Sequence, residues 1–371
     1  MKIAIFFTYD YTVETLKKSG LFDREMRIYD ELAKKYDVNF IFFTYDQELD
    51  SKDFGYKNFE FFPIYKYTKK FNNKIIRLIS SFLIPFKINK KLNNINLLHQ
   101  HQILGSWVPL ILKYKLNIPL LVRTGYDAYS FSIDNNDRKF KILFYKLLTK
   151  LTLRFCDLYT VTSHSDINFL KKYFPINNIK VVPNWIDRVP YTLKQREEAK
   201  ILMIGRLEYQ KNYPLAFEFL KNLNSSYELD IYGRGSNKEY LEQLSKNYDI
   251  KVNFLGNIPH SDLIKTYKKY KYFLSTSKFE GNPKTILEAI NSKCIVFATD
   301  ISNHSEIISN GFNGFLYKTL EDLIKKFNNI RSNPEIQASI VNNCEISLEN
   351  NQIEKVVETM YKDYESLMSF K

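Results

Sequence analysis

Cysteine is scarce in this chain of 371 residues, which contains Cys156, Cys294 and Cys344 and no others. An odd number of widely separated cysteines excludes a disulfide framework, in which even numbers of cysteines recur at short spacings. It also excludes a zinc knuckle, which needs paired ligands close together in sequence. We therefore expect reduced thiols in the core of a cytoplasmic protein.

Long apolar runs are also missing. No stretch reaches the roughly 18 apolar residues that a membrane-spanning helix needs. The first seven residues are mostly apolar, but they run directly into Thr8 and Asp10 without the small-residue cleavage site of a signal peptide. This segment is typical of a first β-strand. We expect a protein that is soluble or bound to the surface of a membrane.

Apolar and aromatic residues are plentiful, at 44% and 16% of the chain. At this length, the composition predicts two domains with large buried cores. The pattern over 2–44 indicates a strand, a helix and a second strand, and the same order begins again at Ile201. Alternating strands and helices predict parallel sheets, and therefore an α/β protein made of two doubly wound domains.

Positive charge is in excess, with a net charge of +13. The segment 66–91 holds eight basic residues and no acidic residue around an apolar centre, and 138–154 is a second basic segment without acidic residues. A basic amphipathic helix binds anionic membrane surfaces, although a core helix with a solvated charged face has the same pattern. Nucleic acid is an improbable partner, because there is no Arg-rich recognition helix, zinc spacing or ribonucleoprotein motif. We expect an anionic membrane surface as the partner.

The stretch that begins at Glu280 is the most informative for function. An apolar strand over 272–276 leads into it, Asn282 can cap the following helix, and Pro283 suits the first helical position. The N-terminus of a helix attracts anions such as phosphate esters, and Gly281 lets a ligand approach the backbone closely. The pattern predicts a ligand site at this helix start.

Two carboxylates accompany that site. Glu288 shares a helix face with Lys284 and Thr285, because residues three and four apart are neighbours on a helix. Carboxylates repel phosphate but accept hydrogen bonds from hydroxyl groups, so Glu280 and Glu288 suit the diols of a sugar. The alternative is structural, with Glu280 capping the helix and Glu288 facing solvent.

A second charged loop follows the strand predicted over 201–204. It contains Gly205, Arg206 and Lys211, just before a helix that begins near Pro214. A guanidinium fork and an ammonium group on one loop suit a diphosphate. The alternatives are a surface salt bridge for Arg206 and a solvated position for Lys211.

The stretch from Glu280 resembles the motif Glu-Gly-x-Pro-x-x-x-Leu-Glu-Ala of retaining nucleotide-sugar glycosyltransferases of the GT-B fold, family 4 (glycosyl transferases group 1). Every fixed position matches: Glu280, Gly281, Pro283, Leu287, Glu288 and Ala289. The Gly-Arg-Leu loop followed by Lys-Asn is also similar to a hallmark of that family. The resemblance is strong over about 200–318 and concerns only the topology elsewhere.

The resemblance implies two Rossmann-like domains that face each other across a cleft. The first, 1–187, would bind the acceptor, and the second, 188–345, would bind the nucleotide sugar. The polar segment 188–200 is interpreted as the linker, and a helix within 346–371 is expected to return to the first domain.

The resemblance also implies roles for individual residues. Arg206 and Lys211 would stabilise the leaving diphosphate, Glu280 would hold the donor sugar and Glu288 the ribose. The donor site would further include Gly205, Gly281, Asn282, Pro283, Lys284 and Thr285, with Gly233, Asn257 and Ile258 near the nucleotide and Gly20 beside the donor phosphates. No Asp-x-Asp metal motif is present, so no cofactor is expected.

On the acceptor side, the family's strand ends in His-x-His, which matches His99 and His101. Two histidines on one side of a strand can bind a metal, but no carboxylate or thiol follows at the spacing of a metal site, so a strand end beside a cleft is the favoured alternative. The resemblance implies that His101 takes part in catalysis. Several family members have a histidine where this chain has Arg123, so that function is not carried over. Arg123 and Asp127 are candidates for acceptor binding.

The resemblance implies a retaining enzyme that transfers a sugar, with a UDP-sugar favoured, to a glycan or lipid-linked acceptor in the synthesis of bacterial-type surface polysaccharide. Such an enzyme would work at the inner face of the cell membrane. A nucleotide-sugar epimerase or hydrolase of the same fold remains an alternative. So does a basic binding protein without transferase activity.

Overall fold

The chain folds into two compact units, Met1–Pro183 with Glu354–Lys371, and Asn184–Ile353. The border at Pro183 lies a few residues before the border expected at Asp187. The computed structural model describes residues 1–49, 54–188, 196–223 and 227–369.

The first unit contains a parallel sheet flanked by helices. Its described strands are β1 (Lys2–Phe6), β2 (Asn39–Thr44), β3 (Phe59–Pro63), β4 (Leu97–His101), β5 (Leu120–Arg123), β6 (Leu158–Val161) and β7 (Ile179–Val181). Its helices up to β7 are α1 (Val13–Lys18), α2 (Phe22–Tyr36), α3 (Ile64–Tyr67), α4 (Lys74–Ser81), α5 (Ile84–Ile88), α6 (Trp107–Leu116), α7 (Ala128–Asp134), α8 (Lys139–Phe155) and α9 (His164–Tyr173).

The strands of this sheet lie in the order β3-β2-β1-β4-β5-β6-β7. Ile5 of β1 pairs with Phe42 of β2 on one side and with His99 of β4 on the other. The chain builds outward from β1 in one direction and then in the other, so the strand order reverses between β1 and β4. In such doubly wound sheets, ligands bind beyond the carboxyl ends of the strands near the reversal.

The second unit repeats this architecture. Its described strands are β8 (Glu197–Ile204), β9 (Glu228–Tyr232), β10 (Val252–Gly256), β11 (Tyr270–Ser275), β12 (Ile295–Thr299) and β13 (Phe315–Tyr317). Its helices are α10 (Tyr213–Lys221), α11 (Lys238–Asn247), α12 (His260–Tyr267), α13 (Lys284–Asn291), α14 (Ser302–Ser305), α15 (Leu320–Arg331) and α16 (Pro334–Ser347). The parallel strands lie in the order β10-β9-β8-β11-β12-β13, so the reversal falls between β8 and β11.

Burial on both faces explains why the strands are almost continuously apolar. Ile3, Ala4 and Ile5 are fully buried, and the ring of Phe6 stacks on that of Phe43 with 4.7 Å between centroids. Two parallel sheets, each with helices packed against buried strands, confirm the predicted α/β fold with two doubly wound domains.

The last helix, α17 (Ile353–Ser369), packs in the first unit. The hydroxyl of Tyr364 lies 2.8 Å from Nδ1 of His99 in β4, and Lys180 of β7 pairs with Asp363 at 2.6 Å. The ring of Tyr361 stacks on that of Tyr36 with centroids 3.7 Å apart. The first unit is therefore built from both ends of the chain.

Two sequence predictions of local structure need correction. The segment 66–91 does not form a single amphipathic helix but forms α4 and α5, separated at Phe82 and Leu83. Pro85 has no N–H to donate to the carbonyl group of Ser81, so α4 cannot continue through it.

The predicted linker is the second correction. Residues 189–195 lie outside the described part of the chain, whereas 197–200 belong to β8 and pair with β11 through Glu197 and Tyr270. These first residues of β8 are largely exposed, so a polar composition is compatible with a strand there.

The three cysteines are free and buried, which confirms the prediction of core thiols. Burial raises the pKa of Cys156, Cys294 and Cys344 to about 12. Of the helices in the described ranges, none combines the length and apolar character needed to cross a bilayer.

Candidate active site

The candidate site lies at the carboxyl edge of the second sheet, at its reversal point. The neighbouring strands β8, β11 and β12 end there, with Leu202 of β8 beside Phe273 of β11 and Ser275 of β11 beside Ala298 of β12. Because parallel strands end at the same edge, the loops that follow them meet. These loops carry the charged residues singled out from the sequence.

The loop after β8 brings a cation into a buried position. A Cβ atom added to Gly205 would lie 2.9 Å from Cε of Lys211, so the absence of a side chain at Gly205 makes room for the lysine. The hydroxyl of Tyr213 donates to the carbonyl oxygen of Gly205 at 2.9 Å, and that of Thr276 donates to the carbonyl oxygen of Lys211 at 2.7 Å. These two hydrogen bonds therefore fix the backbone of the loop at Gly205 and at Lys211.

Lys211 forms an ion pair with Glu280, from the loop after β11. The side chains are 15% and 9% exposed, so the alternative of a solvated Lys211 is wrong. Nε2 of Gln210 donates to the other carboxylate oxygen of Glu280 at 3.1 Å and to the carbonyl oxygen of Phe279 at 2.8 Å. Both carboxylate oxygens are thus bound.

The ion pair determines the charge of Glu280. Burial acts to raise the pKa of this carboxyl, but the ammonium of Lys211 and hydrogen bonds from Lys211 and Ser277 lower it further than burial raises it. The net effect is a pKa below the usual value, so Glu280 is a carboxylate at neutral pH. Such a group accepts hydrogen bonds and donates none.

Arg206 lies on the same loop as Lys211 but is exposed. Over the described ranges, its guanidinium has no ion-pair or hydrogen-bond partner, so the surface salt bridge considered above is absent there. An exposed guanidinium on the loop that carries Lys211 is a cation available to an anionic ligand.

The helix α13 begins at Lys284, and Pro283 occupies the N-cap position without a side-chain cap. The prediction that Asn282 caps this helix is wrong, as is the alternative in which Glu280 does so. The side-chain oxygen of Asn282 accepts from the N–H of Asn184 at 3.3 Å, and its carbonyl oxygen accepts from the Asn184 amide at 2.7 Å. Pro283 at the N-cap has no side-chain acceptor for the first N–H groups of α13, and a helix N-terminus attracts anions.

Within α13, the ammonium of Lys284 lies 4.8 Å from the ring centroid of Trp185, and Thr285 is half-buried. The carboxylate of Glu288 is almost entirely buried and accepts from the hydroxyl of Tyr267 at 3.1 Å. The alternative in which Glu288 faces solvent is therefore wrong.

The remaining donor-site candidates of this unit follow β9 and β10. Gly233 has φ of +153°, and a Cβ there would lie 1.9 Å from the carbonyl oxygen of Gly205, so close packing of two backbones requires glycine. Asn257 and Ile258 follow β10, the first exposed and the second half-buried, while Gly281 before α13 is buried. Their contacts with a nucleotide stay predictions.

Sequence reasoning missed Gln210 and His304. His304 lies in α14, the short helix after β12, and is fully buried. Burial lowers its pKa to about 4, although the charge of Glu280 and a hydrogen bond to Thr299 raise it, and Lys211 lowers it. A lone histidine without a partner at a ligand spacing gives no signal in the sequence.

The acceptor-side candidates belong to the first unit. His101 and Arg123 end the adjacent strands β4 and β5 and are paired in register. Nδ1 of His101 lies 3.4 Å from the hydroxyl of Tyr29, and its Nε2 lies 3.7 Å from a carboxylate oxygen of Glu25. His101 remains partly exposed, as contact with an acceptor would require.

Arg123 and Asp127 are engaged within this unit. The guanidinium of Arg123 donates to the carbonyl oxygens of Val182 and Pro183 at 3.0 and 3.3 Å. Asp127 caps α7 by accepting from the N–H of Ser130 at 2.7 Å, and burial raises its pKa to about 6. Both side chains have structural contacts, and their binding of an acceptor stays a prediction.

Gly20 lies in the turn between α1 and α2 of the first unit. Its φ of +70° is in the left-handed region that favours glycine. The turn itself therefore accounts for this residue, and its predicted place beside the donor phosphates stays a prediction.

Comparison with known proteins identifies both halves of the chain. A family model described as Glycosyltransferase Family 4 matches residues 26–189, and one described as Glycosyl transferases group 1 matches residues 189–345. Together the two models span most of the chain, and they meet near the border between the two units.

Relatives from bacteria match about two thirds of the chain. A Campylobacter jejuni protein named GalNAc-alpha-(1->4)-GalNAc-alpha-(1->3)-diNAcBac-PP-undecaprenol alpha-1,4-N-acetyl-D-galactosaminyltransferase is 24% identical over 260 residues, which are 67% of this chain and 69% of that protein. The Escherichia coli UDP-Gal:alpha-D-GlcNAc-diphosphoundecaprenol alpha-1,3-galactosyltransferase is 27% identical over 272 residues, covering 66% and 68%.

Among solved structures, sucrose-phosphate synthase of Thermosynechococcus elongatus superposes with a TM-score of 0.84 at 14% identity, over the full length of both chains. At this identity the likeness shows the fold. Two matched family models, named relatives and a shared fold lead to one assignment. The chain is an enzyme that belongs to the GT-B glycosyltransferases, and its two halves match the Glycosyltransferase Family 4 model and the Glycosyl transferases group 1 model, respectively.

Proposed function

We propose that this glycosyltransferase transfers a sugar from a UDP-sugar to a glycan or lipid-linked acceptor, with retention of anomeric configuration, during synthesis of a bacterial-type surface polysaccharide. The observation that carries this proposal is the buried Lys211–Glu280 pair, with the exposed guanidinium of Arg206 on the same loop as Lys211, at the reversal point of the second sheet. An acceptor for sugar hydroxyls and cations for a diphosphate on these loops support a nucleotide sugar as the ligand.

The first requirement of the reaction is a stabilised leaving group. Cleavage of the sugar–phosphate bond leaves negative charge on a diphosphate, and fixed cations and N–H groups lower the barrier to that cleavage. Arg206 and Lys211 supply the cations, and the N-terminus of α13 supplies the N–H groups. We propose that these groups do so without a metal ion.

The carboxylates have different tasks in this proposal. Glu280, held by Lys211 and Gln210, accepts hydrogen bonds from hydroxyls of the donor sugar, and Glu288, held by Tyr267, accepts from the ribose diol. With no acid and base pair assigned, we propose that the leaving phosphate takes the proton of the acceptor hydroxyl as the new bond forms on the same face of the sugar.

A lipid-linked acceptor requires contact with a membrane, and the first unit has a surface suited to it. We call this surface the basic apolar face. It consists of α4, α5, the two residues between them and the outer side of α8. The exposed apolar residues are Ile75, Ile76, Ile79, Phe82, Leu83, Phe86, Phe140, Leu143, Leu147 and Leu151. The surrounding segments 66–91 and 138–154 contain no acidic residue. Anionic lipid complements both properties.

Both parts of the basic apolar face are attached to the start of α6. Nε1 of Trp107 donates to the hydroxyl of Ser81 in α4 at 3.0 Å, while the hydroxyl of Ser106 lies 2.9 Å from that of Thr152 in α8. The loop before α6 follows the carboxyl end of β4, which ends in His101. The proposed membrane contact and the proposed acceptor residues are thus connected by a short stretch of chain.

Both named relatives act on undecaprenol-linked acceptors according to their names, which supports a lipid-linked acceptor here.

The test is a thermal-shift screen of UDP-, GDP- and ADP-sugars, followed by detection of glycoside product with an undecaprenyl-diphosphate-linked acceptor in the presence of EDTA. Stabilisation by a UDP-sugar and an α-linked product are expected. Stabilisation by no nucleotide sugar would contradict the proposal, and formation of free sugar or an epimer without glycoside would support the hydrolase or epimerase instead.

Arg206→Ala should lower the transfer rate by roughly 10²–10³-fold while leaving the melting temperature unchanged, because a free, exposed guanidinium contributes to the transition state rather than to folding. Arg331→Ala, which removes an exposed arginine at the end of α15, is the matched control and should leave the rate unchanged. An unchanged rate for Arg206→Ala would refute its role.

A further inference from the structure

The imidazole of His304 is a buried group that the mechanism above leaves unused. It is fully buried, and its Nε2 has no hydrogen-bond partner among the described residues. A buried acceptor without a partner costs about 1–3 kcal/mol. The ring contacts Thr299, and Thr299 donates a hydrogen bond to Ser277 on the loop of Glu280, so the ring is close to the loop of a proposed catalytic residue.

The position of the ring proton follows from Thr299. Nδ1 of His304 lies 2.8 Å from the carbonyl oxygen of Thr299, which can only accept. The Thr299 hydroxyl, 3.3 Å from Nδ1, donates its proton to the carbonyl oxygen of Ser277 at 2.6 Å, so it too can only accept from the ring. Nδ1 therefore carries the proton, and Nε2 presents a lone pair.

These contacts join His304 to the loop of Glu280. Ser277, which accepts from Thr299, also hydrogen-bonds to Glu280 through its side chain. The strands β11 and β12 that carry the two loops are adjacent. The imidazole is fixed in orientation by the same chain of contacts that supports the carboxylate.

We propose that His304 is a specificity-determining residue of the donor site, whose Nε2 accepts a hydrogen bond from a hydroxyl of the sugar that Glu280 holds. The carboxylate of Glu280 and the neutral nitrogen of His304 are two acceptors on the loops after adjacent strands, and adjacent hydroxyls of one sugar ring are two donors. Glu280 itself cannot satisfy Nε2, because a carboxylate donates nothing. The inference rests on the proposed function, because it takes a nucleotide sugar as the ligand.

Two substitutions separate this role from a structural one. In His304→Asn the side-chain amide can still donate to the carbonyl oxygen of Thr299 but has no acceptor at the position of Nε2. In His304→Gln the longer side chain places an amide oxygen near that position but gives up the bond to Thr299. If Nε2 contacts the ligand, binding is weakened more in His304→Asn than in His304→Gln. If the histidine has only a structural role, His304→Gln should be the more damaging substitution.

The experiment is isothermal titration of wild type and both variants with UDP and with UDP-glucose, UDP-galactose, UDP-N-acetylglucosamine and UDP-N-acetylgalactosamine. For the sugar nucleotide that wild type binds most tightly, His304→Asn should raise Kd about tenfold, the loss of one hydrogen bond. The Kd of UDP should change less than twofold. His304→Gln should recover part of the loss.

Equal weakening of UDP and the UDP-sugar, or no weakening of either, would overturn the role of His304 alone. Failure of wild type to bind any of the four UDP-sugars would overturn the proposed donor, and with it this inference.

A measurement on wild type does not depend on how the variants fold. The chain has five histidines, so the ¹⁵N resonances of labelled histidine can be assigned with the His304→Asn spectrum or, if that variant does not fold, with the His304→Gln spectrum. The Nε2 resonance of His304 should move when the UDP-sugar is added and stay in place with UDP. Equal movement with both would contradict a contact to the sugar.

Discussion

At the scale of single residues, the buried ion pair of Lys211 and Glu280 combines stability with chemistry. Its two charges lie within the second unit and are satisfied by each other, by Gln210 and by Ser277. Removing one partner of a buried pair leaves the other charged and uncompensated, which costs more than the pair contributes. Variants at this position should therefore lose stability as well as activity.

Lys211→Met should lower the free energy of unfolding by about 3–5 kcal/mol, because Glu280 is left buried without its cation. Urea denaturation measures this. Lys238→Met is the matched control, because it breaks a lysine–glutamate pair of the same unit, with Glu242, whose side chains are 50% and 39% exposed. The control should lose less than about 1 kcal/mol. Equal losses in the two variants would show that burial of the pair contributes nothing.

His304 should make the protein sensitive to mild acid. Burial lowers its pKa from the ordinary value of 6.5 to about 4 in the folded state. Between these two pH values, the histidine is therefore protonated in the unfolded chain but neutral in the folded chain. The free energy of unfolding should therefore fall between pH 6.5 and pH 4, by about 3 kcal/mol. His304→Asn lacks this titration and should lose that much less over the same interval in urea denaturation. Parallel curves for wild type and variant would contradict the assignment.

The sequence allowed Arg206, Lys211 and Glu280 to be selected, because each follows an apolar strand and parallel strands end at one edge. It did not reveal that Lys211 and Glu280 pair, since 69 residues separate them and either charge alone is compatible with a solvated loop. His304 escaped for a similar reason. Its significance arises from burial and an unpaired nitrogen, which are properties of packing and leave no pattern in the chain.

At the scale of elements, α4 is unusual because most of its apolar side chains face outward, whereas Leu78 packs against the core. Ile75 and Ile79 are 69% and 66% exposed, whereas Arg77 points inward and pairs with Asp10 at 3.0 Å. The amphipathic pattern is thus reversed relative to a helix that packs on a core. This arrangement is stable in water only at a cost that a lipid surface would remove.

Ile79→Asp should weaken binding to vesicles containing phosphatidylglycerol by at least about tenfold, because it removes an apolar anchor and adds a charge that anionic lipid repels. Co-sedimentation with vesicles measures this. Tyr240→Asp, at an exposed aromatic residue of α11 in the second unit, is the control and should have little effect. The fold should be unchanged in both variants, and equal binding by wild type and Ile79→Asp would contradict the assignment of the basic apolar face.

The apolar residues of α4 could be read from the sequence, but their exposure could not. A core helix and a membrane-binding helix share one pattern and differ only in what covers the apolar side. The break between α4 and α5 could have been predicted from Pro85, which lies where a continuous helix would need an N–H. The charged start of β8 could not be predicted as a strand, because exposed strand residues and loop residues have a similar composition.

At the scale of the whole molecule, the first unit depends on the last helix. Val356, Val357, Met360 and Tyr364 of α17 are buried, and Tyr364 contacts His99 in the middle of the sheet. His99 is itself buried, and burial lowers its pKa well below the ordinary value. Loss of α17 would expose these surfaces together.

A chain ending at Gln352 should therefore lose the cooperative unfolding of the first unit and become sensitive to proteases within Met1–Pro183, while the second unit stays resistant. Limited proteolysis with mass spectrometry locates the cuts. A chain ending at Ser369 is the control and should behave as the full chain does. Protection of the first unit in the shorter chain would show that α17 is dispensable.

The bond between His99 and Tyr364 spans 265 residues of sequence, and this has a consequence for biosynthesis. A ribosome delivers β4 long before α17, and the entire second unit emerges in the interval. The domain that is translated first is therefore the one completed last, so a nascent or prematurely terminated polypeptide carries a finished carboxyl-proximal domain and an unfinished amino-terminal one. Until α17 has been made, the part of the first sheet that contacts Tyr364 stays uncovered.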